Sequence, residues 1–173
     1  ADFTTGSWAN FENSKFKLVS LNTARHDTSK HLATPVICDA KIGLKQISEA
    51  LGSWKAPDPW YERAIKERND WESYIQKQSG PTNQEEPSYA HAVGAVYRNA
   101  DPSDIVVTAA GGLVGEVVQI WKPKQINTFE TEWGFSCMGY EISGALGIKM
   151  AKPKQEVVVF LGDGSYLLSN SDI

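Results

Sequence analysis

Two glycine-rich stretches are placed where a main chain could close around an anion. The first is Gly162-Asp163-Gly164-Ser165, directly after the apolar run EVVVFL. Its glycines allow a tight turn and a close approach of the backbone to a ligand. A helix starting at this point offers free N–H groups to negative charge. Asp163 adds one carboxylate, a donor suited to a hard cation such as Mg²⁺. Together these parts can hold a diphosphate bridged by a metal ion. The plainer alternative is a strand-to-helix turn with Asp163 as the cap. The second stretch, Ala109-Ala110-Gly111-Gly112-Leu113, follows DIVVT and could bring more amides to the same anion. Its plainer alternative is close packing of a helix on a strand. Between the two lies GFSCMGYE, where Phe135, Met138 and Tyr140 could wall an apolar slot for a flat heterocycle. Taken alone, Met138 reads more simply as core packing.

Other reactive residue types carry less. His26, His31 and His91 are scattered over different segments and read as surface or structural residues. Cys137 has no histidine base near it in sequence, which argues against a thiol nucleophile. Cys38 and Cys137 are too few for a disulfide framework or a zinc site, and a reducing cytoplasm is the simplest setting. The formal net charge of −4 and the lack of a basic run argue against nucleic acid as a partner. No apolar run is long enough for a membrane span, and the N-terminus has no signal-peptide pattern.

The elements that must position the glycine stretches follow from periodicity. Residues 15–22, 34–39, 104–108 and 156–161 read as strands, with a short extended piece near 128–134. The last strand is apolar on both faces, as a central parallel strand should be. Residues 41–52 read as a helix with Leu44, Ile47 and Leu51 on one stripe and Gly52 as its stop. Further helices are expected near 60–78, 88–98, 114–121 and 139–150. The alternation implies an α/β fold with mainly parallel strands, in which ligands sit at the carboxyl ends. Three parts are expected: residues 1–52 as the end of a middle α/β domain, 53–86 as a charged helical linker, and 87–173 as the start of a diphosphate-binding domain. Both chain ends read as cuts, so an internal piece of a longer protein is expected.

The stretch from Gly134 to Ile173, with its GDGS loop, resembles the thiamine-diphosphate-dependent enzymes of the acetolactate synthase type. Within that superfamily FSCMGYE, DFTTGSW at residues 2–8 and TAAGGLVGE at 108–116 resemble the trihydroxycyclohexanedione hydrolases of inositol breakdown. The similarity covers essentially the whole chain. It implies a Rossmann-like middle domain followed by a cofactor domain, thiamine diphosphate and Mg²⁺ as cofactors, and a homo-oligomer. By the same resemblance Asp163 is a metal ligand, Gly162, Gly164 and Ser165 approach the diphosphate, and Gly112 and Leu113 line its other side. Cys137, Met138 and Gly139 lie along the aminopyrimidine, with Met138 beneath the bent cofactor. The family's second metal ligand and its activating glutamate are expected outside this chain, and Glu132 and Glu141 do not take that glutamate's place. The implied substrate is a cyclic 1,2-dione, opened by hydrolytic carbon–carbon cleavage to 5-deoxyglucuronate. Rivals are another enzyme of the same cofactor class, such as an acetolactate synthase or a 2-oxoacid decarboxylase, and a non-catalytic nucleotide-binding module. The chain by itself is expected to be inactive.

Overall fold

The computed structural model describes residues 15–132 and 134–173; the motif at residues 2–8 lies outside them. The chain divides into two compact units, Ala1–Asp58 and Pro59–Ile173.

In the first unit β1 (Val19–Asn22) and β2 (Thr34–Ile37) pair in parallel, with Val19 opposite Thr34 and Asn22 opposite Ile37. A short α1 (Arg25–Thr28) lies between them in sequence. Both strands are shorter than expected, and β2 stops at Ile37 because Asp39 is used to start α2 (Ala40–Leu51). Its carboxylate accepts from the amides of Lys41 (2.9 Å) and Ile42 (3.3 Å), an N-cap that satisfies two otherwise orphaned donors. Gly52 ends the helix at φ 55°. The expected stripe is not the packed face: Leu44, Ile47 and Leu51 are all exposed within this unit. The close contact is made instead by Gly43, where a Cβ would meet Leu21 Cδ1 at 2.4 Å and Cys38 Sγ at 2.7 Å.

The second unit begins with α3 (Asp58–Gln78) and α4 (Tyr89–Asn99). Three strands follow, each with a helix after it: β3 (Ile105–Thr108) with α5 (Gly112–Ile120), β4 (Phe129–Thr131) with α6 (Tyr140–Ala151), and β5 (Val157–Val159) with α7 (Asp163–Ser169). The strands are all parallel, in the order β4-β3-β5. Residues 156–161 therefore do not supply the central strand of this sheet. That place belongs to β3, all four residues of which are buried, while Val157–Val159 are half-buried on the outside of the three. Both runs are rich in β-branched residues, so composition does not rank them.

Alternation along β3 divides the core in two. Val106 joins Ile75, Val93, Val117, Ile120, Trp121 and Phe160 on one face; Ile105 and Val107 meet Ala145 on the other. Helices thus cover both faces of a parallel sheet, as its two apolar sides require. Trp121 sits edge-on to Tyr97 and to Phe160, with ring centroids 5.2 and 5.9 Å apart.

The helix expected as an outer linker belongs with this second unit. Its middle is solvated and carries exposed i,i+4 pairs, Arg63–Glu67 and Lys66–Asp70, which add little stability. Its last turn is different. Ile75 enters the core, and the Ser79 carbonyl accepts from the Arg98 guanidinium. At Gly94 a Cβ would lie 2.1 Å from that same Ser79 oxygen. Gly94→Ala should therefore push α4 off the end of α3 at a cost of about 1–3 kcal/mol. A urea unfolding midpoint equal to that of the unaltered protein would contradict this contact. His91 has a structural task here: its Nδ1 accepts from the Ser88 amide (3.1 Å) while its own amide donates to Ser88 Oγ (3.4 Å), closing a capping box on α4.

Candidate functional site

The parallel pairing of β3 with β5 puts both glycine loops at one edge of the sheet. Val107 stands opposite Val159, the Phe160 amide donates to the Val107 carbonyl (2.9 Å), and the Thr108 hydroxyl donates to the Phe160 carbonyl (3.1 Å). The loop beyond Thr108 and the loop beyond Phe160 thus leave adjacent strands at their carboxyl ends. Gly111 adopts φ 97°, a conformation that side chains rarely take, and Gly112 begins α5. A Cβ added to Gly111, Gly112 or Gly162 would meet no other group within 4 Å. The loops are therefore open on the side where a ligand would lie, not closed by packing. Leu113 turns its side chain into the core, so only its main chain can serve this edge.

Asp163 is exposed at the start of α7, and its Oδ1 accepts from the Gly164 amide (2.8 Å). It is an isolated carboxylate: among the described residues no group of three or more His, Cys, Asp or Glu is placed to hold a metal ion. Such a donor suits a cation whose remaining ligands come from a ligand's oxygens and water. Ser165 is buried, and its hydroxyl donates to Glu141 Oε1 (3.2 Å), so it is not directed at solvent. At the end of β4 the Thr131 hydroxyl is buried without a hydrogen-bond partner among the described residues.

Of the three expected wall residues, one reaches the GDG loop. The Met138 methyl would lie 2.8 Å from a Cβ on Gly164. The Tyr140 ring instead lies over Gly144 of its own helix, and Phe135 is 90% exposed. Gly139 caps α6 at φ 92°, where a Cβ would strike Ser169 Oγ at 2.5 Å. Met138 thus stands between a left-handed cap and Gly164.

Glu132 shapes the segment that follows it, residues 134–137. Its two carboxylate oxygens accept from the amides of Phe135 and Cys137, both at 2.9 Å, around Ser136 at φ 53°. The bonds from Cys137 and then Phe135 hold the Glu132 carboxyl below its ordinary pKa. Cys137 is exposed, yet its thiol is raised above its ordinary value by partial desolvation and then by the Glu132 charge. That is the reverse of an activated thiolate. A carboxyl depressed on folding contributes above its ordinary pKa, and the contribution is lost as pH falls through the depressed value. The 134–137 turn should accordingly be held at neutral pH and loosen in acid. Glu132→Ala should reproduce the acid behaviour at pH 7, seen as faster hydrogen exchange at Phe135 and Cys137. Unchanged exchange at both amides would remove Glu132 from this task.

Glu141 is a residue to which the sequence reading gave no site role. It is fully buried, and its carboxyl accepts from the Ala110 amide (3.2 Å), the Gly139 amide (3.0 Å) and the Ser165 hydroxyl. A usable signal did exist. Glu141 shares a helical stripe with the buried Ala145 and the core-packed Ile148, at i, i+4 and i+7.

Residues 109–173 match the family described as thiamine pyrophosphate enzyme, C-terminal TPP binding domain. The match starts at the first glycine loop and includes Met138 and the GDG loop. Proteins named 3D-(3,5/4)-trihydroxycyclohexane-1,2-dione hydrolase are similar over 99% of the chain: 34% identical in Geobacillus thermodenitrificans, 32% in Lacticaseibacillus casei and 33% in Halalkalibacterium halodurans. The chain spans about 30% of the length of these relatives. The open faces of Gly111, Gly112 and Gly162 and the free-standing Asp163 suit the diphosphate end of thiamine pyrophosphate. No helix among the described residues is long and apolar enough to cross a membrane.

Proposed function

We propose that this chain is the diphosphate-binding part of an enzyme that hydrolyses trihydroxycyclohexane-1,2-dione with thiamine diphosphate and Mg²⁺. The observation that carries the reading is geometric. A single Glu141 oxygen lies 3.2 Å from both the Ala110 amide and the Ser165 hydroxyl, so the two glycine loops converge on one place within the segment that matches a thiamine-pyrophosphate-binding family. The substrate is taken from the names of relatives that align with 99% of the chain.

In this scheme Gly111, Gly112 and the main chain of Leu113 receive the diphosphate from the β3 side. Gly162 and Gly164 receive it from the β5 side, and Asp163 gives one carboxylate oxygen to the metal. Met138 supports the cofactor from below, next to Gly164, while Cys137 and Gly139 border its ring through their main chain. When bound, the cofactor would supply a nucleophilic carbon and an electron sink for carbon–carbon cleavage. The residues of this chain bind and orient it. Ring opening of the dione, with one water added across the cleaved carbon–carbon bond to give a carboxylate and an aldehyde, would then yield 5-deoxyglucuronate. The second metal ligand, the activating glutamate and the substrate pocket are assigned to the rest of a cytoplasmic homo-oligomer, so the isolated chain should not turn over the dione.

The test is a titration of the full-length protein with thiamine diphosphate and with ATP, each with Mg²⁺, followed by dione turnover with and without cofactor. Saturable binding of thiamine diphosphate and cofactor-dependent turnover are expected. Preference for ATP would indicate a nucleotide-binding module. Cofactor-independent turnover would refute the proposed chemistry, and binding with turnover of a 2-oxoacid in place of the dione would move the protein to a neighbouring activity.

A further inference from the structure

One buried side chain touches all three segments of the site. Glu141 Oε1 accepts from the Ala110 amide and the Ser165 hydroxyl, and Oε2 accepts from the Gly139 amide. Ala110 precedes the open Gly111 and Gly112; Gly139 follows Met138; Ser165 follows Gly164. An apolar residue would be cheaper to bury than an acid at this point, and Ile142 and Ala145 already give α6 its packing. Cohesion of the fold alone does not call for a carboxyl here. Its hydrogen bonds show what does. Two of the three donors are main-chain N–H groups, which can only donate, and they reach different oxygens. The side chain must therefore present an acceptor at both of its terminal atoms. A carboxylate does so; the amide of glutamine turns an NH₂ toward one of the two N–H groups.

We propose that Glu141 is the positioning residue of the cofactor site, setting the spacing between the two glycine loops and the Met138 support without touching the cofactor. The assignment rests on the thiamine diphosphate reading above. It also gives Ser165 a different task from the expected one: its hydroxyl acts on Glu141, not on the diphosphate.

The experiment compares the full-length protein with its Glu141→Gln, Ser165→Ala, Glu141→Gln/Ser165→Ala and Asp163→Ala variants. Thiamine diphosphate dissociation constants are measured with Mg²⁺, alongside melting without cofactor and kcat at saturating cofactor. Glu141→Gln should bind roughly 10–100-fold more weakly, as loss of an outer-shell partner does, with kcat largely recovered at saturation. Ser165→Ala should lose roughly 3–10-fold, the worth of one hydrogen bond. The double variant should be no worse than Glu141→Gln, because both act through one carboxyl. Unaltered affinity of Glu141→Gln overturns the proposal, whether or not its melting point falls, and so do losses that add in the double variant. If Glu141→Gln does not fold, hydrogen exchange in Ser165→Ala decides. Faster exchange at Ala110 and Gly139 supports the shared carboxyl, whereas weaker cofactor binding with both amides unchanged overturns it. The Asp163→Ala arm separates the two levels. Loss of binding there with normal binding by Glu141→Gln overturns only the positioning role, whereas a wild-type protein that ignores thiamine diphosphate overturns the site itself.

Discussion

Asp163→Ala in the full-length protein should weaken Mg²⁺-dependent binding of thiamine diphosphate by more than about 100-fold, beyond the 10–100-fold carried by outer-shell partners of a metal. Dione turnover should fall with it. The cause is the loss of the one carboxylate in the GDG loop, which stands exposed at the carboxyl end of β5. The fold should be little affected, because Asp163 is exposed and the bond at stake is that from the adjacent Gly164 amide. Surface changes of this kind stay within roughly 0.5 kcal/mol. Isothermal titration with and without Mg²⁺, next to a thermal melt without cofactor, separates the two effects. Equal affinity in the variant and the parent would place the metal elsewhere.

Trp121→Ala should be among the most damaging substitutions outside the site, with a loss of about 3–5 kcal/mol. Typical domains have only about 5–15 kcal/mol in hand. Trp121 is buried at the end of α5, and its ring meets the edges of Tyr97 and Phe160, linking three elements. The damage should also spread to the cofactor loop. Phe160 is two residues before Gly162, and its carbonyl receives the Thr108 hydroxyl. With Trp121 gone, Phe160 loses the neighbour that holds it, and cofactor affinity should drop as well. A guanidinium titration that showed a loss below about 1 kcal/mol would mean that the cavity collapses without cost.

The sequence was most legible where one residue type has one physical use. Gly52, read as a helix stop, ends α2 at φ 55°. Both glycine loops lie at strand carboxyl ends, because βα alternation leaves little topological freedom. Legibility failed where the outcome depended on a neighbour far along the chain. EVVVFL and DIVVT have the same apolar character, and only the pairing order puts β3 in the middle. Leu44, Ile47 and Leu51 form a faultless helical stripe, yet Gly43 makes the packed contact. Ile75 sits in a helix dominated by charge, so its burial against α4 left no periodic trace. Within the site, glycines and Asp163 could be named from local chemistry alone. Ser165 reads as a diphosphate neighbour, but its bond to Glu141, 24 residues away, could not be read from local sequence.

The register of β3 with β5 also has a meaning for the ribosome. The hydrogen bonds from Thr108 to Phe160 and from Gln155 to Ser103 each join residues 52 positions apart. At roughly 5–20 residues per second, synthesis leaves an interval of about 3–10 s between the emergence of one partner and the other. During that interval Ile105 and Val107, almost fully buried in the finished protein, lack both β5 and the α6 face that cover them. The nascent chain therefore presents its most buried strand before its cover is complete. Chaperone demand during synthesis should be concentrated there, and slower translation past Thr108 should lower the yield of soluble protein.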